Sequence, residues 1–464
     1  MENDDSRADI ELDLKRAFKD ESEAREKLAR RINIAEKAHE AGEPVDYVSL
    51  AQDYFTLALE AQEEDDYVTA GKWLEKAIKL LESVPFPTDD MVLILAQAHL
   101  SYGVVLNDQG IWSDALAEYG AAESLLGKLS EIGNLDARLD LAGIRLNIAT
   151  IRFEQGDYPD AIAAFEQVKS EFASLFGTSK EDEAYYYLAK TYMQEESIYR
   201  EMGEDEKSLQ RLEEVIALYR KMIERGDAEQ SVDLAEALAV YAQTLECSGQ
   251  RSAEEILPYI EESVARLREG VGAGRADVCP ELLNVSVMQG RLLNYMDRWK
   301  EAEESLTETA EIFDAIRETD DPEALLSLIT LYDERGKSRY AQGKYDEALV
   351  DFDMASETAA RLPADFYDAH DENHDHELHD ECDCGCGHLH VLRAEGLLKL
   401  FSVCVNRSKT LNILGRVEEA KKECSEAGAI LPQVKEYLED DYQGYRDIYE
   451  ALVKSLGPEP GRDR

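Results

Sequence analysis

Residues 329–362 read ITLYDERGKSRYAQGKYDEALVDFDMASETAARL. Tyr332, Gly336 and Tyr340 lie four residues apart and therefore share one face of a helix. Ala348, Phe352 and Ala355 follow at i, i+4 and i+7 and line a second one. Between the two, Gly343 stands where the first helix must stop and reverse, a position that needs positive φ. Gly336, with no side chain, lets the second helix approach closely. The stretch predicts a helix hairpin.

The hairpin pattern recurs along the chain. With the small residue in the middle of each first helix as a register mark, the series is Ala58, Gly103, Ala149, Glu196, Ala242, Gly290, Gly336 and Ser408. Successive intervals are 45, 46, 47, 46, 48, 46 and 72 residues. A period of about 20 to 50 residues denotes stacked supersecondary units, each burying its apolar face against its neighbours. The turn glycine recurs as Gly110, Gly156, Gly203, Gly249, Gly343 and Gly415, with Asp65 and Asp297 in the other two units. The alanine that follows recurs as Ala70, Ala115, Ala161, Ala302, Ala348 and Ala420, with Ser208 in the fourth unit.

These residues resemble the tetratricopeptide repeat: a large residue, a small one, an aromatic, a turn, then Ala, aromatic and Ala at matching offsets. The likeness covers about Pro44 to Leu431. It implies an all-α, right-handed superhelical solenoid of about eight hairpins. The longer period predicts helices of roughly 18 to 22 residues, about 30 Å each. In the fifth unit Glu254-Glu255-Ile256-Leu257-Pro258 fits only with a small insertion, and Pro258 is expected to end or bend a helix. The expected organisation is an N-terminal helical cap at 1–43, repeats one to seven at 44–364, an insertion at 365–390, repeat eight at 391–431, a capping helix at 432–456 and a disordered tail at 457–464. Leu12, Ala17, Leu28, Ile32 and Ala35 are the apolar points of the first cap; Tyr437, Leu438, Tyr442, Tyr445, Ile448 and Tyr449 are those of the last.

The chain has 464 residues and a formal charge of −50, from 100 acidic and 50 basic side chains. Phosphate binding depends on clustered Lys and Arg, so this balance speaks against nucleic acid and against anionic membrane surfaces. The first ten residues are polar and acidic, unlike a signal peptide, and no apolar run approaches the length of a membrane span. A cytoplasmic protein is expected. Cys247, Cys279, Cys404 and Cys424 lie in helical patterns and read as buried free thiols. Tyr185, Tyr186, Tyr187, Tyr192 and Tyr199 fall at helical spacing and read as packing residues.

The irregular interval exceeds the repeat by 26 residues, and composition locates the excess. Between Asp365 and His390 lie His370, His374, His376, His379, Cys382, Cys384, Cys386, His388 and His390. Imidazole and thiolate suit a transition metal such as Zn, Ni or Cu, and the interleaved carboxylates raise local cation concentration. In an extended chain the alternating Cys382, Cys384, Cys386, His388 and His390 would share one face. The pattern is unlike a zinc finger, since its donors are too many and too local for one tetrahedral site; a solvated acidic loop has the same composition.

In the resembling family the first helices line a groove that holds a peptide or partner helix. Here the ninth residue of each unit runs Leu59, Val104, Thr150, Ser197, Gln243, Arg291, Lys337 and Lys409, turning basic at the C-terminal end. Asn294, Tyr340 and Asn412 are at the twelfth position, and Asn406 is nearby. Cations and amides both offer N–H donors to a carboxylate. The competing reading pairs the three cations with neighbouring Asp and Glu along the stack. No phosphate-binding glycine loop, nucleophile elbow or zinc-protease motif occurs, and Gly270-Val271-Gly272-Ala273-Gly274 reads as a loop between helices. Asp320-Asp321-Pro322-Glu323 reads as a helix start. An interaction scaffold without enzymatic activity is the leading expectation, and metal handling through 365–390 the alternative.

Overall fold

The structure is a computed structural model that describes residues 27–63, 66–249, 251–316, 321–363, 386–438 and 442–457. Leu12, Ala17, Asp65, most of the His/Cys-rich insertion and residues 458–464 lie outside that set. All regular structure among the described residues is helical. Helix α1 covers residues 27–40. It is followed by α2 (Tyr47–Glu63), α3 (Tyr67–Glu82), α4 (Asp89–Asp108), α5 (Trp112–Glu131), α6 (Leu135–Glu154), α7 (Tyr158–Ala173), α8 (Glu181–Glu201), α9 (Asp205–Glu224) and α10 (Ser231–Ser248). Then come α11 (Ala253–Gly272), α12 (Cys279–Tyr295), α13 (Trp299–Ile316), α14 (Pro322–Ala341), α15 (Tyr345–Ala359), α16 (Cys386–Ile413), α17 (Val417–Leu438) and α18 (Tyr442–Leu456).

The chain divides between Ser248 and Gly249 into two compact units, so the fifth repeat is split, its first helix closing one unit and its second opening the other. In the N-terminal unit α2/α3, α4/α5, α6/α7 and α8/α9 are hairpins, and α2, α4, α6 and α8 also pack one on the next. In the C-terminal unit α12/α13, α14/α15 and α16/α17 are hairpins, with α12, α14 and α16 in sequence. First helices thus form a continuous layer from α2 to α8 and from α12 to α16. Second helices pack chiefly on first helices. Each unit is an all-α solenoid segment in which first helices touch one another from hairpin to hairpin.

All eight register residues are buried. The reason lies sixteen residues further on. A Cβ at Gly336 would stand 2.5 Å from the Phe352 ring, one at Gly103 2.4 Å from Tyr119 and one at Gly290 2.6 Å from Leu306. In these three hairpins the second helix presses one large side chain onto the glycine of its partner. Phe352 and Phe165 are fully buried, each worth roughly 1.5–3 kcal/mol by transfer of apolar surface. At the turn, Gly343 has φ 78°, its N–H donates to Tyr340 O (2.9 Å), and Lys344 N–H donates to Arg339 O (2.9 Å). The same bonds recur at Gly156 and, with a non-glycine residue at φ 58°, at Asp297. Asp321 caps α14 by accepting from Ala324 N–H at 2.9 Å, with Pro322 at the first helical position. Of the tyrosines, Tyr185 and Tyr199 are buried and Tyr187 stacks on Phe172 at 5.4 Å. They pack.

Several expectations are corrected. Pro258 lies inside α11, which a Ser252/Glu255 capping box opens. The carbonyl that Pro258 leaves unbonded is that of Glu254, in the exposed first turn, where water can serve it. Pro432 likewise lies inside α17, so the capping helix begins at Tyr442 and not at 432. Gly270, Val271 and Gly272 are the last turn of α11, and the reversal falls on Gly274 at φ 92°. Helix α16 starts at Cys386, inside the expected insertion. Cys386, His388 and His390 are thus helical, and the two-residue alternation of an extended chain does not reach them. Cys247 is exposed, whereas Cys279, Cys404 and Cys424 are buried. Finally, α4 is long and apolar enough, by length and composition, to span a membrane. Its apolar residues serve the stack, where it packs between α3 and α5 and against α2 and α6.

Candidate functional site

The C-terminal unit carries a cavity of about 400 Å³ on its first-helix layer. Six sequence-predicted residues line it: Arg291 and Asn294 from α12, Lys337 and Tyr340 from α14, and Asn406 and Lys409 from α16. Helical periodicity explains the convergence. Arg291, Lys337 and Lys409 each follow a register residue that is buried against the second helix, so they emerge one step round, on the layer's open face. Tyr295, Trp299, Ala341 and Phe352 add apolar walls. Asn412 lies on a second cavity of about 350 Å³, which shares Tyr340 and Lys409 with the first and is completed by Ile413 and by α18.

The cations are not equivalent. Lys337 Nζ lies 2.7 Å from Asp333 Oδ2 and 2.9 Å from Glu334 Oε1, and both carboxylates are buried. Burial works against its ammonium, but the two acids outweigh it and raise its pKa above the ordinary lysine value. Lys337 therefore follows the competing reading, in which the cation is spent on the stack. Asp333 also accepts from Ser402 Oγ (2.8 Å) and Asn406 Nδ2 (2.9 Å), which ties α14 to α16.

Asn294 is likewise engaged inside the fold. Its Nδ2 donates to Glu334 O and Oε2, both at 2.9 Å, and its Oδ1 accepts from Ser338 Oγ at 2.6 Å. Asn294 and Asn406 fasten helices and have their amide hydrogens committed.

Lys409 differs. Among the described residues no carboxylate pairs with it. Burial and the charge of Lys337 lower its pKa, with Asp333 opposing. Nor do the Tyr340 hydroxyl and the Asn412 amide have a hydrogen-bond partner among the described residues. Tyr340 holds its ring edge-on to Tyr345 at 5.4 Å and lines both cavities. An unpaired ammonium, a hydroxyl and an amide therefore surround the junction of the two cavities, beside aromatic walls. Such a set can accept an anionic oxygen and bury an apolar neighbour.

Sequence reasoning did not anticipate Tyr295, Glu334 or α18 as parts of this site. Tyr295 is 81% exposed, an unusual placement for a large ring. The predicted metal donors His370, His374, His376, His379, Cys382 and Cys384 lie outside the described residues, and the side chains of Cys386, His388 and His390 do too.

The sequence model of the tetratricopeptide repeat matches residues 145–174, from the middle of α6 to just past the end of α7. With the hairpin register above, the chain is a tetratricopeptide-type helical repeat protein. No curated protein matches it. Among solved structures it is similar to the apo form of RapI, at 13% identity over 88% of this chain and 96% of that one, with a TM-score of 0.49. It is also similar to BtubC from P. vanneervenii, at 16% identity over 57% and 97% of the chains, with a TM-score of 0.40. The tetratricopeptide-like repeats of a putative kinesin light chain from Podosopora anserina follow, at 18% identity over 48% and 96%, with a TM-score of 0.34.

Proposed function

We propose that this protein is an interaction scaffold that holds a segment of a protein or peptide partner in the first-helix groove of its C-terminal unit, through an acidic group at Lys409. The supporting observation is the Lys409 ammonium, unpaired among the described residues, at the junction of two cavities, in a chain with twice as many acidic as basic side chains. An incoming carboxylate relieves the Lys337–Lys409 repulsion as well as gaining charge-assisted hydrogen bonds. Reversing all three cations would be a poor test, because Lys337 holds Asp333 and Glu334 inside the fold.

Lys409→Glu is the cleaner variant. Panned against a randomised decapeptide library, the wild-type chain is expected to enrich Asp or Glu at one position, and Lys409→Glu to lose that enrichment. Affinity for an enriched peptide should fall about tenfold to a hundredfold, the value of one hydrogen-bonded charge. Unchanged enrichment in Lys409→Glu would remove the groove reading.

A second reading, metal handling, is favoured by the nine His and Cys donors between His370 and His390. Titration of the full chain with zinc, nickel and copper tests it against a variant with Cys382 and Cys384 as Ser and His370, His374, His376 and His379 as Asn, which leaves α16 untouched. Equal binding by both chains would reject it.

A further inference from the structure

The second cavity has a chemistry of its own. Helix α18 sends Tyr445 and Tyr449 into the core, where Tyr445 meets Phe401 at 5.6 Å. Its other face carries Ile448, Ala451 and Ser455, at i, i+3 and i+7, towards the groove. Ile448 is 46% exposed, and Ile413 across the cavity on α16 is 48% exposed. A helix that served only to cover the end of the stack would turn such residues inward and offer a polar outer face. The expectation that Ile448 packs back is thus corrected: this side chain forms a wall of the cavity.

Resting on the groove reading above, we propose that the cavity between α16 and α18 holds an aliphatic side chain of the bound segment, two residues from the acidic residue that meets Lys409. The preferred ligand is then an extended segment with Asp or Glu close to Leu, Ile, Val or Met. Charge complementarity favours an acidic segment of a partner as the occupant: Lys409 lines both cavities, so a segment that fills the apolar one can set a carboxylate beside its ammonium. Side chains two residues apart in an extended segment stand on the same side, so one segment can place both groups on the groove floor.

The experiment is the same decapeptide panning, read two residues to either side of the acidic one and repeated with Ala451→Trp, which fills the cavity from an exposed site. The wild type is expected to enrich aliphatic residues there. Substituting Ser for that residue in an enriched peptide should weaken binding about tenfold or more, from the apolar surface left unburied. Ala451→Trp is expected to abolish that difference while keeping the acidic preference, and Lys409→Glu to lose the acidic preference. Acidic enrichment without aliphatic enrichment, or an aliphatic preference that survives Ala451→Trp, overturns the inference and leaves the groove reading standing. No enrichment at either position overturns both. Sedimentation of the wild type as a dimer that Ala451→Trp dissociates would assign the cavity to a second copy of this chain and overturn the inference as well.

Discussion

At the scale of single residues, glycine is required for two different reasons. Gly343 supplies a left-handed backbone, whereas Gly336 supplies space. Gly336→Ala places a Cβ against the Phe352 ring, and with the ring fully buried something must shift. The expected cost is about 1–3 kcal/mol of overpacking, seen as a lower urea midpoint with unchanged slope.

Asp140 makes a pH-dependent counterpart. Burial pushes its pKa up to about 6, Asp136 adds to the rise, and Gln97 and Lys180 oppose it. A carboxyl whose folded pKa is raised stabilises the fold below its unfolded value, near 4, and loses that contribution as pH rises through about 6. Asp140→Asn, which cannot ionise, should therefore stabilise the protein at pH 8 by up to about 3 kcal/mol, and by less at pH 5.5. Urea midpoints at the two pH values check the sign.

At the scale of elements, the hairpins are fastened by more than apolar contact. Asp351 on α15 is fully buried and accepts from Arg335 (2.7 Å) and Arg339 (3.0 Å) of α14. Asp351→Ala removes the shared acceptor and leaves two half-buried guanidinium groups, of which Arg339 keeps only Glu303. The loss should be about 3–5 kcal/mol, measured by chemical denaturation, with Glu347→Ala on the exposed side of the same helix as the near-neutral comparison.

Helix existence and turn positions were legible in the sequence, because a period of 3.6 and a glycine at the reversal are local signals. Helix ends at the two prolines were not. Whether Pro258 or Pro432 stops a helix depends on whether the carbonyl it orphans can reach water, which is a property of the packed surface.

At the scale of the whole molecule, a formal charge of −50 opposes compaction through self-repulsion, while exposed ion pairs such as Lys300–Glu304 and Lys422–Glu426 are individually weak. Raising NaCl from about 20 mM to about 0.5 M should therefore raise the melting temperature, since screening relieves the net repulsion more than it weakens isolated pairs. A fall in Tm would show that paired charges dominate.

The sequence by itself determined the repeat, its register, the turn residues and the column on which Arg291, Lys337 and Lys409 fall, since each follows from spacing along a helix. Only the tertiary structure decided which of those cations is spent and which is open. Lys337 meets Asp333 and Glu334 of its own helix, Asn294 and Asn406 are drawn into the same acids from neighbouring helices, and Lys409 is left beside a cavity that α18 completes. Side-chain partners three or four residues away can be guessed from a sequence. Partners 40 to 73 residues away, such as Glu334 for Asn294 or Asp333 for Asn406, exist only once the helices have stacked.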